Sequence, residues 1–143
     1  MINLSTILQE VLNEVGEDLR SAYPFKYIGG SNPTYIFTTD ETKYKVVFRN
    51  EGGGTYERIY TPISKKDFKA NVTTDEGKAI PVNATVMAAT LDFLENNKEW
   101  HTLTIHPIDP RRYRLVTNFI YKNVPSEKYN VEEIEGIINI TRK

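Results

Sequence analysis

The sequence predicts an α+β domain: an antiparallel meander of about five or six strands, with an N-terminal helix and two later helices packed mainly on one face. Three observations predict it. Short runs rich in Tyr, Phe, Ile, Val and Thr are separated by turn residues, the pattern of consecutive hairpins. Over residues 43–49, Tyr44, Val46 and Phe48 alternate with Lys43, Lys45, Val47 and Arg49, which makes one face apolar and the other mostly wet. Other stretches carry apolar residues at helical spacing.

The first of these runs through Leu4, Ile7, Leu8, Val11, Leu12, Val15 and Leu19, with Asn3 as N-cap and Glu10, Glu14, Glu17 and Asp18 on the other side. It reads as a helix docked on the core, with a partner-binding helix as the alternative. Strands follow at about 25–28, 34–39, 43–49 and 55–64, with Gly29-Gly30-Ser31-Asn32-Pro33, Asp40-Glu41-Thr42 and Glu51-Gly52-Gly53-Gly54 between them. Residues 65–82 are polar and read as a long loop. Asn83 is placed to cap a helix from about 84 to 96, and a strand follows at about 102–106. Asp109-Pro110 then starts a third helix, with Leu115, Val116, Phe119 and Ile120 as its stripe. After Pro125 the chain is polar until Gly136, and residues 137–141 close as a last β run, paired within its own sheet or added to a neighbouring chain. Leu8, Leu12, Val46, Phe48, Val86, Leu94, Leu103, Ile105, Leu115 and Phe119 are the expected core of a single domain spanning 1–143.

Composition narrows the function classes. Eighteen basic residues against nineteen acidic give a formal net charge of -1, so no bulk electrostatic case for nucleic acid or an anionic membrane exists. With no cysteine there is no disulfide, thiolate nucleophile or thiolate metal ligand, which fits a reducing, cytoplasmic setting. Neither a signal-peptide pattern nor an apolar run of spanning length is read in the sequence, and no membrane association is expected.

No catalytic constellation is legible, and no metal or cofactor is expected. His101 and His106 lie five apart on a predicted strand, an odd separation that sends them to opposite faces, one half-buried and one exposed. Gly52-Gly53-Gly54 lacks the Lys-Ser/Thr of a phosphate loop and reads as a hairpin turn. The unusual stretch is Asp109-Pro110-Arg111-Arg112-Tyr113-Arg114, where Arg111, Arg112 and Arg114 crowd a helix start whose dipole favours anions. Two readings stand. Nearby carboxylates neutralise the arginines or their stems cover apolar surface, or the helix start contacts a phosphate or nucleic acid.

A strand with Tyr35-Ile36-Phe37 leads to one with Tyr44-Lys45-Val46-Val47-Phe48, then to Tyr56-Glu57. After a polar loop come Ala84-Thr85-Val86, a strand and Arg112-Tyr113-Arg114-Leu115. This order, over about residues 34–120, is similar to a set of small uncharacterised proteins encoded by tailed phages and some Bacteroidetes. Where those proteins often carry a Gly/Ser-rich segment before the arginine, this chain has His106-Pro107-Ile108-Asp109-Pro110. The resemblance implies a phage origin, with the host cytoplasm or the virion as its location, and implies no activity.

The sequence therefore leads to a non-enzymatic phage-type protein, a virion component or a host-directed factor, that binds another macromolecule, a protein partner or a second copy of itself. The alternative is a nucleic-acid or nucleotide-phosphate binder using Arg111, Arg112 and Arg114, joined by Lys65, Lys66 and Lys69. An enzyme built on His101 or His106 with a carboxylate brought near by folding is the third reading.

Overall fold

A computed structural model of the chain describes residues 19–40, 42–63, 76–107 and 110–143. The N-terminal helix expected from Leu4 onward lies outside the described residues up to position 18, and Leu19–Ser21 forms a 3-10 turn. The elements that follow are β1 (Phe25–Gly29), β2 (Thr34–Thr38), β3 (Lys43–Gly52), β4 (Thr55–Pro62), α1 (Glu76–Asn96), β5 (Thr102–Ile105), α2 (Pro110–Asn123), β6 (Tyr129–Ile134) and β7 (Ile137–Arg142).

The strands form one seven-stranded sheet in the order β1-β2-β3-β4-β5-β7-β6. This corrects the expected antiparallel meander of five or six strands. β1 to β4 do pair as successive antiparallel neighbours. β4 and β5, however, run parallel, with Tyr56 beside Leu103 and Arg58 beside Ile105, so the sheet is mixed. The reason lies in the connection. Parallel neighbours need a crossover of a dozen or more residues, which the segment holding α1 supplies. β7 then inserts between β5 and β6, antiparallel to both, so the last β run pairs within its own chain. Two α-helices, not three, lie among the described residues.

α1 begins at Glu76, eight residues before the expected start at 84, and takes in the end of the predicted loop. Pro81 lies inside it. Threonine and asparagine side chains bond back along the helix around that break: Thr85 Oγ1 donates to the Pro81 carbonyl at 2.7 Å, and Asn83 Nδ2 to the Ala79 carbonyl at 2.8 Å. Asn83 is thus an interior helical residue and not a cap. Thr85 Oγ1 also accepts the Tyr23 amide at 2.8 Å, which pins the entry to β1 on α1.

The core forms where the inward faces of the strands meet both helices. Val46, Phe48, Val86, Leu94, Leu103, Ile105 and Phe119 are all buried, whereas Leu115 is only partly so; Leu8 and Leu12 lie outside the described residues. Phe93 of α1 is the hub. It stacks on Phe48 at 4.1 Å between centroids, and meets Tyr56 edge-on at 5.2 Å and Trp100 at 6.2 Å. Gly54 sets the start of β5: its carbonyl accepts the His101 amide at 2.6 Å and the Thr102 amide at 3.1 Å. With φ at +82° and an added Cβ only 3.1 Å from His101 Cβ, that position requires glycine.

Candidate functional site

Alternation along β4 turns Tyr56, Arg58 and Tyr60 towards the helices. Arg58 lies across from Phe48 on one side and beside Ile105 on the other, a setting that would suit an aliphatic side chain. It is 7% exposed. Among the described residues its guanidinium makes one hydrogen bond, from Nη1 to Thr90 Oγ1 at 3.2 Å, and no ion pair. Burial lowers its pKa to about 10, opposed in part by the Tyr60 phenol. The Ser21 hydroxyl is the one sealed side-chain polar atom without a partner among the described residues. No nitrogen of Arg58 is sealed without a partner, and Arg58 is among the residues that line a cavity.

That cavity has a volume of about 150 Å³ and is lined by residues 57–60 of β4, by Ile105, His106 and Pro107, and by Arg112 and Val116 of α2. Its position follows from the crossover. The last β4–β5 pair is Arg58 with Ile105; beyond it β4 continues through Ile59 and Tyr60, paired with β3 alone. The chain leaves β5 at the same level and turns into α2. The cavity thus lies off the carboxyl end of β5 and beside the first turn of a 14-residue helix. Ligands of α/β sheets gather at that end of parallel strands, and helix N-termini favour anions.

Donors converge on it. Arg112 Nη1 donates to the Tyr60 hydroxyl oxygen at 3.1 Å, and the phenol's own proton has no acceptor among the described residues. At the rim His106 Nε2 lies 3.0 Å from Glu57 Oε2. Glu57 also pairs with Arg49, whose guanidinium bonds Glu51 at 2.9 Å as well. The arrangement can hold an acidic group against the Arg58 guanidinium and the Tyr60 phenol.

Of the three arginines singled out in the sequence, Arg112 is the one placed at this cavity. Arg114 is exposed to solvent. The side chain of Arg111 lies outside the described residues, as do Lys65, Lys66 and Lys69. His101 and His106 are both exposed, which corrects the expectation of one half-buried histidine. They flank β5 instead of lying within it, so strand alternation does not govern them. No group of three or more metal-ligating side chains occurs among the described residues. Arg58 was missed, although the signal was present: in Tyr56-Glu57-Arg58-Ile59-Tyr60 the two tyrosines mark the inward face, and Arg58 falls on it.

Two other polar groupings are already satisfied. Glu133 of β6 accepts from Tyr121 at 2.6 Å and from Tyr113, joining α2 to the sheet edge. These bonds hold the Glu133 carboxyl below its usual range and push Tyr121 up to about 12. In a broader groove by β1, Tyr35 donates to Asp92 Oδ2 at 2.5 Å, so that pair completes itself.

Compared with known protein families, curated proteins and solved structures, the chain matches none. No helix among the described residues is long and apolar enough to cross a membrane.

Proposed function

We propose that this chain is a non-enzymatic binding protein that captures an acidic group of another molecule in the cavity between β4, β5 and α2. The observation that supports this reading is Arg58, a cation 7% exposed that forms no ion pair among the described residues. Burying an unpaired charge costs several kcal/mol, roughly, unless something compensates it. An anion in the cavity that Arg58 lines would pair the guanidinium and offset that cost.

A phage-type protein that binds another macromolecule needs a recognition point, and Arg112 at the start of α2 lines this cavity. A nucleic-acid backbone suits the cavity less well, because phosphate tracking needs a row of exposed cations and Arg58 is recessed.

The test is thermal unfolding in chloride, sulfate, phosphate and acetate at constant ionic strength, for the native chain and for Arg58→Met. Anion-dependent stabilisation in the native chain, absent from the variant, supports the reading. An identical response in both proteins refutes it.

A further inference from the structure

Resting on the reading of the cavity as an anion site, we infer that its ligand is a monocarboxylate carried on a small aliphatic group, either a free acid or the C-terminal residue of a peptide. Four features select this class over phosphate.

The first is charge. Arg58 brings one positive charge that no carboxylate pairs among the described residues. A carboxylate neutralises it. A phosphate dianion would leave excess negative charge beside Glu57 in a poorly solvated space, where such an excess is expensive.

The second is the number of donors. Arg58 spends an Nη1 proton on Thr90, which leaves the other edge of its planar fork. Two parallel N–H groups match the two oxygens of a carboxylate, and the Tyr60 hydroxyl adds one more donor. Phosphate brings more oxygen lone pairs than these groups satisfy.

The third is the wall. Ile59, Ile105, Pro107 and Val116 share the lining with the polar groups. An apolar wall removes water from whatever enters. That favours a ligand with an apolar body and penalises a bare, strongly hydrated ion.

The fourth is size. A volume of about 150 Å³ is some tenfold more than the ~10–15 Å³ that a single water requires. A carboxylate alone would leave most of it empty, whereas a branched chain of a few carbons would occupy it.

The experiment is calorimetric titration of the full chain with isovalerate, isovaleramide, inorganic phosphate and a pentapeptide ending in valine, with a free carboxylate or amidated. Isovalerate or the free peptide should bind at least ~10-fold tighter than phosphate and than the matching amide, the factor expected for hydrogen bonds to a charged group. The tighter of the two names the source of the carboxylate. Arg58→Met should lose that binding. Arg58→Lys, which keeps the charge but not the fork, should weaken it by about tenfold or more, and it decides the matter if the methionine variant does not fold. Phosphate binding more tightly than either carboxylate, through Arg58, overturns the carboxylate assignment and leaves the anion site standing. Amides that bind as well as acids overturn it too. If no anion binds, or if binding survives both Arg58 variants, the inference and the anion site fail together.

Discussion

The Thr90 hydroxyl couples Arg58 to α1: it accepts from Arg58 Nη1 at 3.2 Å and donates to the Val86 carbonyl at 2.7 Å. Its proton is committed to the helix backbone, so its lone pairs are directed at the guanidinium. Thr90 is fully buried.

This relationship predicts the behaviour of Thr90→Val, which keeps the shape and removes the hydroxyl. Arg58 would lose its one hydrogen bond among the described residues, at a cost of ~1–3 kcal/mol. Thr90→Ser, which retains the oxygen, should lose less. Urea denaturation of both variants measures the difference, and anion-dependent stabilisation should weaken in the valine variant alone.

Arg58→Met should be more stable than the native chain when no ligand is present. Replacing buried ion pairs by apolar residues of similar volume is often neutral or stabilising by ~1–4 kcal/mol, and a lone buried ion has no Coulombic partner to lose. The pH dependence has a definite sign. The folded pKa of about 10 lies below the ordinary guanidinium value, so folding disfavours the charged form. That penalty is fully present below about pH 10 and is relieved as pH rises towards the ordinary value. The stability gap between variant and native chain should therefore narrow in alkali. A gap that widens there would contradict the desolvation account.

Glu133→Gln should loosen α2 from the edge of the sheet. The folded carboxyl is held low by Tyr113 and Tyr121, so its contribution is present above the ordinary carboxylate range and lost as pH falls through the folded value. Tyr121, pushed up to about 12, contributes below its ordinary value of 10 and loses that contribution as pH rises through 12. Because these groups are largely exposed, solvent screening should keep the effect small. Stability against pH for native chain and variant should converge in acid.

Much of the sheet was legible because β2 and β3 alternate cleanly, with Tyr35, Phe37, Tyr44, Val46 and Phe48 all inward. The crossover was not read as one, because residues 65–82 are polar and read as a loop, which hid the first two turns of α1. β6 was missed for a different reason. As an edge strand it carries Asn130, Glu132 and Glu133, and charge on an edge prevents stray pairing while it erases the hydrophobic signal. At the candidate site the basic helix start stood out by composition and delivered Arg112. Arg58 is a single charge in an apolar alternation, meaningful only once the inward face is known.

The turn between β6 and β7 gives the last prediction. Ile134 pairs with Ile137, so the loop is Glu135-Gly136 alone. Both residues have positive φ, 51° and 80°, which is the backbone of a type I′ turn. Its twist matches that of the strands it joins, but its first position suits Asn, Asp or Gly. A glutamate there is strained by its Cβ, by roughly 1 kcal/mol. Glu135→Asn should therefore raise stability by up to ~1 kcal/mol, and Gly136→Ala should lower it by a similar amount or more. The effect reaches the core, because β7 lies between β6 and β5 and buries Ile138 and Ile140 completely. Chemical denaturation of the two variants gives the sign directly. A destabilising Glu135→Asn would show that the glutamate side chain contributes more at that turn than its backbone strain costs.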